Sequence, residues 1–271
     1  MTVDPQVHPE ELLAVALEAA RAAAEIIIAA ADLPKAIKFK GATDLVTVTD
    51  REAETTITTI IKKHFPEHRI LAEESGRWAG TEEYLWVIDP LDGTTNFVHG
   101  YPAFAVSIGV LQADRPVCGV IAELPAGHFY SAVRSGGACR DGRPIAVSGN
   151  DDLQQALLVT GFGYDHDEHW RKNMVLFREL TDRTQGVRRQ GAAAIDLAHV
   201  ASGKVDGYWE FDLHPWDSAA GILLVEEAGG RVSRMDGKPY SIFDDQLLAS
   251  NGHLHDTLLD IIVPVISKSA I

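Results

Sequence analysis

Apolar residues near the start of the chain recur every three or four positions, which is the period of an α-helix. Charged residues such as Glu18, Arg21 and Glu25 lie between them, and Pro9 suits a first helical turn. The pattern therefore predicts an amphipathic helix that packs one face on a core. The residues on this face are Leu13, Leu17, Ala20, Ala24, Ile27 and Ala31.

A second helix is predicted after a short strand pattern at 45–48. Thr49 and Glu52 have the spacing of a capping box, in which each side chain bonds the backbone N–H of the other residue. A helix that begins there ends before Pro66, because proline cannot continue a helix interior. The residues that it buries are Ala53, Ile57, Ile60 and Ile61.

The rest of the chain combines strand and helix patterns, which predicts alternating layers. Strands are predicted at 69–72, 85–88, 104–110, 116–124, 128–134 and 144–147, and helices at 191–203 and 215–229. The fold class is therefore mixed, α+β with α/β portions. We expect one unit over 1–271, with an α+β half at about 1–148 and an α/β half at about 149–271.

Composition narrows the classes of function. The 271 residues are 46% hydrophobic, and 39 acidic against 24 basic residues give a net charge of -15. Such acidity disfavours direct nucleic-acid binding, because phosphate backbones are repelled. Two cysteines cannot supply a disulfide framework, the start has no secretory signal pattern, and the longest apolar run is too short for a membrane span. We expect a cytoplasmic protein that acts on a small molecule.

Carboxylates stand beside predicted turns at four places in the chain. They are Asp50, the pair Glu73 and Glu74, the pair Asp89 and Asp92, and Asp217. The residues at 70–76, 86–97 and 214–222 include no lysine or arginine, so cations from solution are the better candidates to neutralise these groups. Ligands that are all oxygen favour a hard ion, Mg2+ before Ca2+ or Mn2+.

The run from Asp89 to Asn96 carries the most chemical information. Pro90 stiffens the end of a strand, so Asp89 and Asp92 can approach one centre with the Leu91 carbonyl between them. Gly93 allows the backbone to approach a ligand, and the N–H groups that follow can face an anion. Metal ions and a phosphate on one loop are what hydrolytic phosphoryl transfer requires.

These segments together resemble the inositol monophosphatase family, which belongs to the lithium-sensitive, magnesium-dependent phosphatases. The resemblance rests on the runs Asp44–Asp50, Glu73-Glu74-Ser75, Trp86–Gly100 and Trp216–Gly221, in the order and at the spacing of the family. It covers nearly the whole chain. It implies a five-layer αβαβα fold, a homodimer, and hydrolysis of a sugar-like phosphate monoester.

The resemblance also implies roles for single residues. One Mg2+ would be bound by Glu73, Asp89 and the Leu91 carbonyl, a second by Asp89, Asp92 and Asp217, and a weaker third would share Glu73. Glu73 and Thr94 would orient the attacking water, with Asp50 behind Thr94. Substrate contacts would come from Asp92, Gly93, Thr94, Gly191, Ala192, Ala193, Glu210 and Asp217.

Cofactor preferences follow from the same resemblance. Two or three Mg2+ ions per subunit are implied, Mn2+ could replace them, and Ca2+ and Li+ would inhibit. The family usually has a glycine at the position of Ala72, a difference that leaves the carboxylates in place. The lysine that the family has before its first Asp motif could be Lys38 or Lys40.

Simpler structural interpretations exist for most of these segments. The Asp89–Thr95 run could be a turn whose side chains cap backbone N–H groups, and Asp217 could merely begin a helix. Glu210 could be an exposed strand residue. His166–His169 has neither a helical context nor a third ligand, which favours a solvated loop over a metal cluster. The basic run Arg183–Arg189 favours a solvated loop or a dimer contact over a nucleic-acid site.

Three hypotheses about function remain open at this point. The leading one is a Mg2+-dependent phosphatase acting on myo-inositol 1-phosphate. The same chemistry could serve fructose 1,6-bisphosphate, histidinol phosphate or a 3'-phosphonucleotide. A different class is a regulatory protein that docks to a transcription or RNA-processing partner through this scaffold.

Overall fold

A computed structural model describes residues 7–33, 37–39, 45–78, 80, 83–163 and 165–267. Its α-helices are α1 (Pro9–Ala30), α2 (Val48–His64), α3 (Thr94–His99), α4 (Glu168–Thr181), α5 (Ala193–Ala201), α6 (Pro215–Glu227) and α7 (His255–Ile266). Its strands are β1 (Ile37–Phe39), β2 (Leu45–Thr47), β3 (Arg69–Ala72), β4 (Gly76–Trp78), β5 (Tyr84–Asp92), β6 (Phe104–Gln112), β7 (Arg115–Leu124), β8 (His128–Val133), β9 (Gly137–Arg140), β10 (Arg143–Pro144), β11 (Leu157–Thr160), β12 (Gly186–Arg188), β13 (Gly207–Phe211), β14 (Arg231–Ser233) and β15 (Gln246–Ser250).

Two larger sheets alternate with three layers of helices. The eight-stranded sheet has the order β10-β9-β8-β7-β6-β5-β3-β4, and the five-stranded sheet has the order β12-β11-β13-β15-β14. Helices α1 and α2 cover one face of the large sheet, while α5 and α6 lie between the two sheets. Helices α4 and α7 pack on the outer face of the small sheet. The predicted αβαβα layering is confirmed.

Parallel pairing of β3 with β5 positions the first acidic segments. Ala72 lies opposite Ile88 in this register, so both strands end at the same edge of the sheet. The residues that follow, Glu73 and Asp89, are therefore neighbours. Open sheets commonly build their sites at such carboxyl ends of strands.

The first predicted helix is present, but its buried face is rotated from the predicted one. Ala20, Ala24 and Ile27 are buried, whereas Leu13 and Leu17 are only half-buried. Small residues let α1 approach α2 and the sheet closely, so a stripe with many alanines forms the contact instead of the leucines. The buried residues of this helix are Leu12, Val15, Ala16, Ala19, Ala20, Ala23, Ala24 and Ile27.

The predicted capping box of the second helix was wrong by two residues. Helix α2 begins at Val48, and Thr47 and Asp50 form the box. The Thr47 backbone N–H donates to Asp50 Oδ2 at 2.9 Å. Asp50 thereby satisfies a free N–H of the helix end, and Glu52 stays exposed. Ala53, Ile57 and Ile61 are buried as predicted, whereas Ile60 is half-buried.

Two further local predictions were wrong. The segment predicted as a strand at 144–147 contributes only Pro144 to β10. The segment 166–169, predicted as a loop without helical context, contains the start of α4, where Asp167 caps the helix and His169 lies in its first turn. An amphipathic pattern in 168–181 was the missed signal. In the part of the chain that is described, no helix is long and apolar enough to cross a bilayer.

Candidate active site

The end of β5 brings two carboxylates to one point. Pairing of β5 with β6 is irregular between Asp89 and Asp92, so the strand bends there. Asp89 Oδ1 accepts a hydrogen bond from the Leu91 backbone N–H at 3.0 Å. Asp89 and Asp92 are 3% and 9% exposed, so both belong to the interior.

Two other elements add a carboxylate each. Glu73 follows β3, and its backbone N–H donates to the Ile88 carbonyl at 3.2 Å, which holds it beside the end of β5. Asp217 is in the first turn of α6, where its Oδ2 accepts from the His214 backbone N–H at 2.7 Å. This cap contact is the simpler interpretation of Asp217, and it leaves Oδ1 of the same carboxylate for another partner.

Burial and mutual repulsion disfavour charge on these groups. Burial, and then the neighbouring carboxylates Glu73, Asp92 and Asp217, raise the pKa of Asp89 well above its usual range. Burial and Asp217 likewise raise the pKa of Asp92. Among the described residues no lysine or arginine forms an ion pair with Asp89, Asp92 or Asp217.

This donor set fits a divalent cation. Several buried carboxylates without a basic partner are stable together only if they are protonated or bind an ion. All the donors are oxygens, which suits Mg2+ better than a softer metal. The residues present therefore match the cation that the sequence predicts.

Asp50 and Thr94 form a polar pair behind these carboxylates. The Thr94 hydroxyl lies 3.0 Å from Asp50 Oδ1 and 3.0 Å from the Leu91 carbonyl oxygen. Asp50 is fully buried and is fixed by its bonds to Thr47. Because a hydroxyl has one proton, donation to Asp50 leaves the lone pairs of Thr94 Oγ1 free to accept from a water molecule.

Gly93 and the start of α5 approach each other closely. Gly93 has φ +83°, and a Cβ there would lie 2.9 Å from the Ala103 carbonyl and 3.3 Å from Ala192 Cβ. The Ala194 backbone N–H donates to Asp92 Oδ2 at 2.8 Å, although the two residues are 102 positions apart. Gly191, Ala192 and Ala193, which the resemblance assigns to substrate binding, therefore lie against the β5 loop.

Glu210 comes to the same pocket from β13 of the small sheet. Its Oε2 accepts a hydrogen bond from the Tyr208 hydroxyl at 2.5 Å. A Cβ at Gly161 would be 2.1 Å from Glu210 Oε1, so only glycine leaves room for this carboxylate. The pKa of Glu210 is raised to about 8, mainly by burial; the hydrogen bond from Tyr208 lowers it, Asp217 raises it and Arg189 lowers it. Glu210 is thus not a freely exposed strand residue.

A single pocket of about 770 Å3 connects these residues. Asp50 lies behind this pocket. Of the two candidates for the lysine that the family has before its first Asp motif, Lys38 is in β1 and Lys40 lies outside the described residues. The predicted residues that line the pocket are Glu73, Asp89, Leu91, Asp92, Gly93, Thr94, Gly191, Ala192, Ala193, Glu210 and Asp217.

The sequence did not indicate several residues of the outer wall. Phe162 and Arg189 line the pocket, and so do Asp165, Asp167, Asp212 and Asp245. Ligand atoms of Asp167, His169 and Asp212 all lie within 4.8 Å of one another. The available signal for this wall in the sequence was the pair of glycines, Gly161 and Gly163, that follows a strand. His169 finds its neighbour 43 residues away in sequence, which local spacing cannot reveal.

Comparisons with known proteins agree with this geometry. Residues 8–267 match the model of the inositol monophosphatase family. The chain is 50% identical over 265 residues to the chloroplastic phosphatase IMPL1 of Arabidopsis thaliana, covering 95% of this chain and 71% of that protein. It is 42% identical to the Nus factor SuhB of Pseudomonas aeruginosa, covering 96% and 98%. The solved inositol monophosphatase from Anabaena (Nostoc) sp. PCC 7120 has a TM-score of 0.83 at 44% identity, covering 94% and 96%.

Proposed function

The chain belongs to the inositol monophosphatase family, and on that basis we propose that it hydrolyses myo-inositol 1-phosphate to myo-inositol and phosphate with Mg2+ as cofactor. One observation supports this proposal most directly. The buried carboxylates, the pair of Asp50 and Thr94, and Glu210 meet at one pocket, although they come from distant parts of the chain. Phosphatase activity follows from the family, whereas this substrate and this metal are part of the proposal.

The metal ligands are those that the resemblance implies. Glu73, Asp89 and the Leu91 carbonyl bind one Mg2+; Asp89, Asp92 and Asp217 bind a second; Glu73 contributes to a weaker third. Bound ions of this kind lower the pKa of a water molecule and neutralise phosphate oxygens. Mn2+ can replace Mg2+, and Ca2+ and Li+ inhibit.

The protein groups hold and orient the reactants. Thr94 Oγ1, which donates to Asp50, accepts a hydrogen bond from the attacking water and so aims its lone pair. Glu73 lies beside Asp89 and also helps to orient the attacking water. The backbone N–H groups of Gly93 and Thr94 bind the phosphate.

The inositol ring lies on the side of the phosphate opposite the attacking water. Asp92, Asp217 and the segment 191–193 contact it, and Glu210 binds ring hydroxyls. Glu210 suits this role because Gly161 leaves room for its carboxyl group at the pocket wall and the Tyr208 hydroxyl holds it there. We propose that the enzyme acts as a cytoplasmic homodimer and does not bind nucleic acid directly.

The test is phosphate release from myo-inositol 1-phosphate with and without Mg2+. We expect release that requires the ion, and a loss of several orders of magnitude in kcat/KM for Asp92→Asn. Asp151→Asn, an exposed aspartate in the loop before β11, is the matched control and should retain activity. The proposed substrate would be contradicted by an enzyme that releases no phosphate from myo-inositol 1-phosphate but is fully active on fructose 1,6-bisphosphate, histidinol phosphate or a 3'-phosphonucleotide.

A regulatory binding role is the second candidate, because a relative of nearly the same length is named as a Nus factor. The metal-ligand set is complete in this chain, which favours catalysis. Asp92→Asn separates the two roles. A cellular function that survives in this variant, while turnover is lost, would establish the binding role.

A further inference from the structure

Four aspartates form the solvent-facing wall of the pocket, and we call them the acidic rim: Asp165, Asp167, Asp212 and Asp245. Three of them are exposed and Asp212 is half-buried, whereas Asp89 and Asp92 on the pocket floor are buried. The rim is therefore the part of the pocket wall that is accessible to solvent.

The rim residues come from three separate segments but hold a fixed arrangement. Asp212 has φ +62°, and its backbone N–H donates to the Asp245 carbonyl at 2.6 Å. Its Oδ1 lies 2.6 Å from His169 Nδ1. Asp167 Oδ1 caps α4 by accepting from the Trp170 backbone N–H at 3.0 Å. The carboxylates of Asp167 and Asp212 are consequently held close to each other.

Positive charge near the rim is limited. Arg189 is the single lysine or arginine among the described residues that line the pocket, and its guanidinium lies over the Phe162 ring at 5.7 Å. His169 can add one charge, because Asp212, Asp245 and Asp167 raise its pKa against the effect of its burial. His214 also lines the pocket, so the four carboxylates face one guanidinium and at most two imidazolium groups, and the rim is net negative.

We propose that the acidic rim determines substrate class: it admits phosphate monoesters whose remaining part is an uncharged polyol and excludes substrates with a second phosphate. This inference rests on the proposed function of the same pocket. It selects among the alternative substrates, because fructose 1,6-bisphosphate and 3'-phosphonucleotides with a 5'-phosphate carry a second anionic group.

The selection is electrostatic. The phosphate that is hydrolysed lies at the floor, where the carboxylates are neutralised by Mg2+. A second phosphate has a charge of about -1.5 to -2 at neutral pH and would lie toward the rim, away from the carboxylates that are proposed to bind Mg2+. Hydroxyl groups are uncharged and carry no such penalty.

The test compares kcat/KM for myo-inositol 1-phosphate with that for fructose 1,6-bisphosphate. The variant is Asp165→Asn with Asp245→Asn, because both side chains are exposed and neither forms a hydrogen bond with another described residue. Asp151→Asn is the control, because it also removes one negative charge but lies outside the pocket. We expect the wild type to prefer the monophosphate, and the double variant to gain roughly fivefold on the bisphosphate, mainly through KM.

Activity on the monophosphate should change little in the double variant. The gain on the bisphosphate should shrink at high ionic strength, since salt screens exposed charges. An unchanged ratio in the double variant, or equal use of both substrates by the wild type, would overturn the inference. Absence of Mg2+-dependent hydrolysis of every phosphate monoester, inositol 1-phosphate included, would instead reject the proposed function itself.

Discussion

At the scale of single residues, the Asp50 carboxylate connects the capping of helix α2 to the proposed chemistry. Asp50 closes the capping box of α2 with one oxygen and accepts from Thr94 with the other. The same carboxylate therefore has a structural and an orienting role. Removal of Asp50 would disturb both, so Thr94 is the position that isolates the orienting role.

Replacement of Thr94 tests this role. Thr94→Val keeps the shape of the side chain but cannot accept from a water molecule, and we expect kcat to fall by about 10²- to 10³-fold. Thr94→Ser retains the hydroxyl and should stay within about tenfold of the wild type. Steady-state kinetics at saturating Mg2+ measures both. Equal activity of the valine and serine variants would show that the hydroxyl does not orient the nucleophile.

At the scale of elements, α6 sets the position of Asp217. This helix packs on the large sheet where two strands carry glycine, so its backbone lies unusually near the sheet. A Cβ at Gly109 would be 2.7 Å from Ala219 Cβ, and one at Gly119 would be 2.9 Å from Ala220 Cα. The distance between β5 and α6, and hence between Asp92 and Asp217, depends on this contact.

Gly109→Ala should push α6 away from the sheet. We expect a loss of about 1–3 kcal/mol in the free energy of unfolding, and a higher Mg2+ concentration for half-maximal activity. Gly149→Ala is the matched control, because a Cβ there meets nothing within 4 Å. Denaturant unfolding and a Mg2+ titration measure the two effects. A stable Gly109→Ala variant with wild-type Mg2+ dependence would mean that α6 position does not govern the site.

At the scale of the whole molecule, the acidity of the chain is concentrated partly at the pocket. Asp89, Asp92 and Glu210 have raised pKa values, and burial likewise raises the pKa of Asp196, which is fully buried beneath the pocket. A raised pKa in the folded protein means that folding favours the protonated form. This contribution to the free energy of unfolding is fully present at pH values below the pKa that the group has in the unfolded chain. It is lost as pH rises through the pKa that the group has in the folded protein.

The metal-free protein should therefore become less stable as pH rises from about 4.5, the ordinary glutamate range, to about 8, the folded pKa of Glu210. Glu210→Gln should reduce this slope, and exposed Glu25→Gln should not. Mg2+ at constant ionic strength should raise Tm more at pH 8 than at pH 5, since it binds the ionised carboxylates. Thermal melts across this range would contradict the account if Tm did not fall with pH in metal-free wild type.

We further propose that residues 1–271 act as one unit. The halves at about 1–148 and 149–271 each contribute a sheet, but α5 and α6 pack between both sheets. The pocket likewise takes residues from both halves. Neither half contains a complete site.

Much of the candidate site could be predicted from the sequence because its parts are local. A buried strand followed by Asp89, Leu91, Asp92 and Gly93 specifies within a few residues where carboxylates and close backbone approach occur. Strand ends, helix starts and the layered fold class follow from periodicity over short windows. The resemblance to a family then supplied the roles.

Packing decided what local spacing leaves open. Thr47 rather than Thr49 caps α2. A stripe rich in alanine, rather than Leu13 and Leu17, forms the buried face of α1, because this helix packs closely on α2 and the large sheet. Only folding brings Arg189 to the pocket, His169 to Asp212, and the Ala194 backbone N–H to Asp92. The sequence by itself determined which ligands the chain offers to a metal and a phosphate. Only the tertiary structure decided which charges surround the rest of the substrate, because those residues are brought together by long-range contacts that no short window of sequence contains.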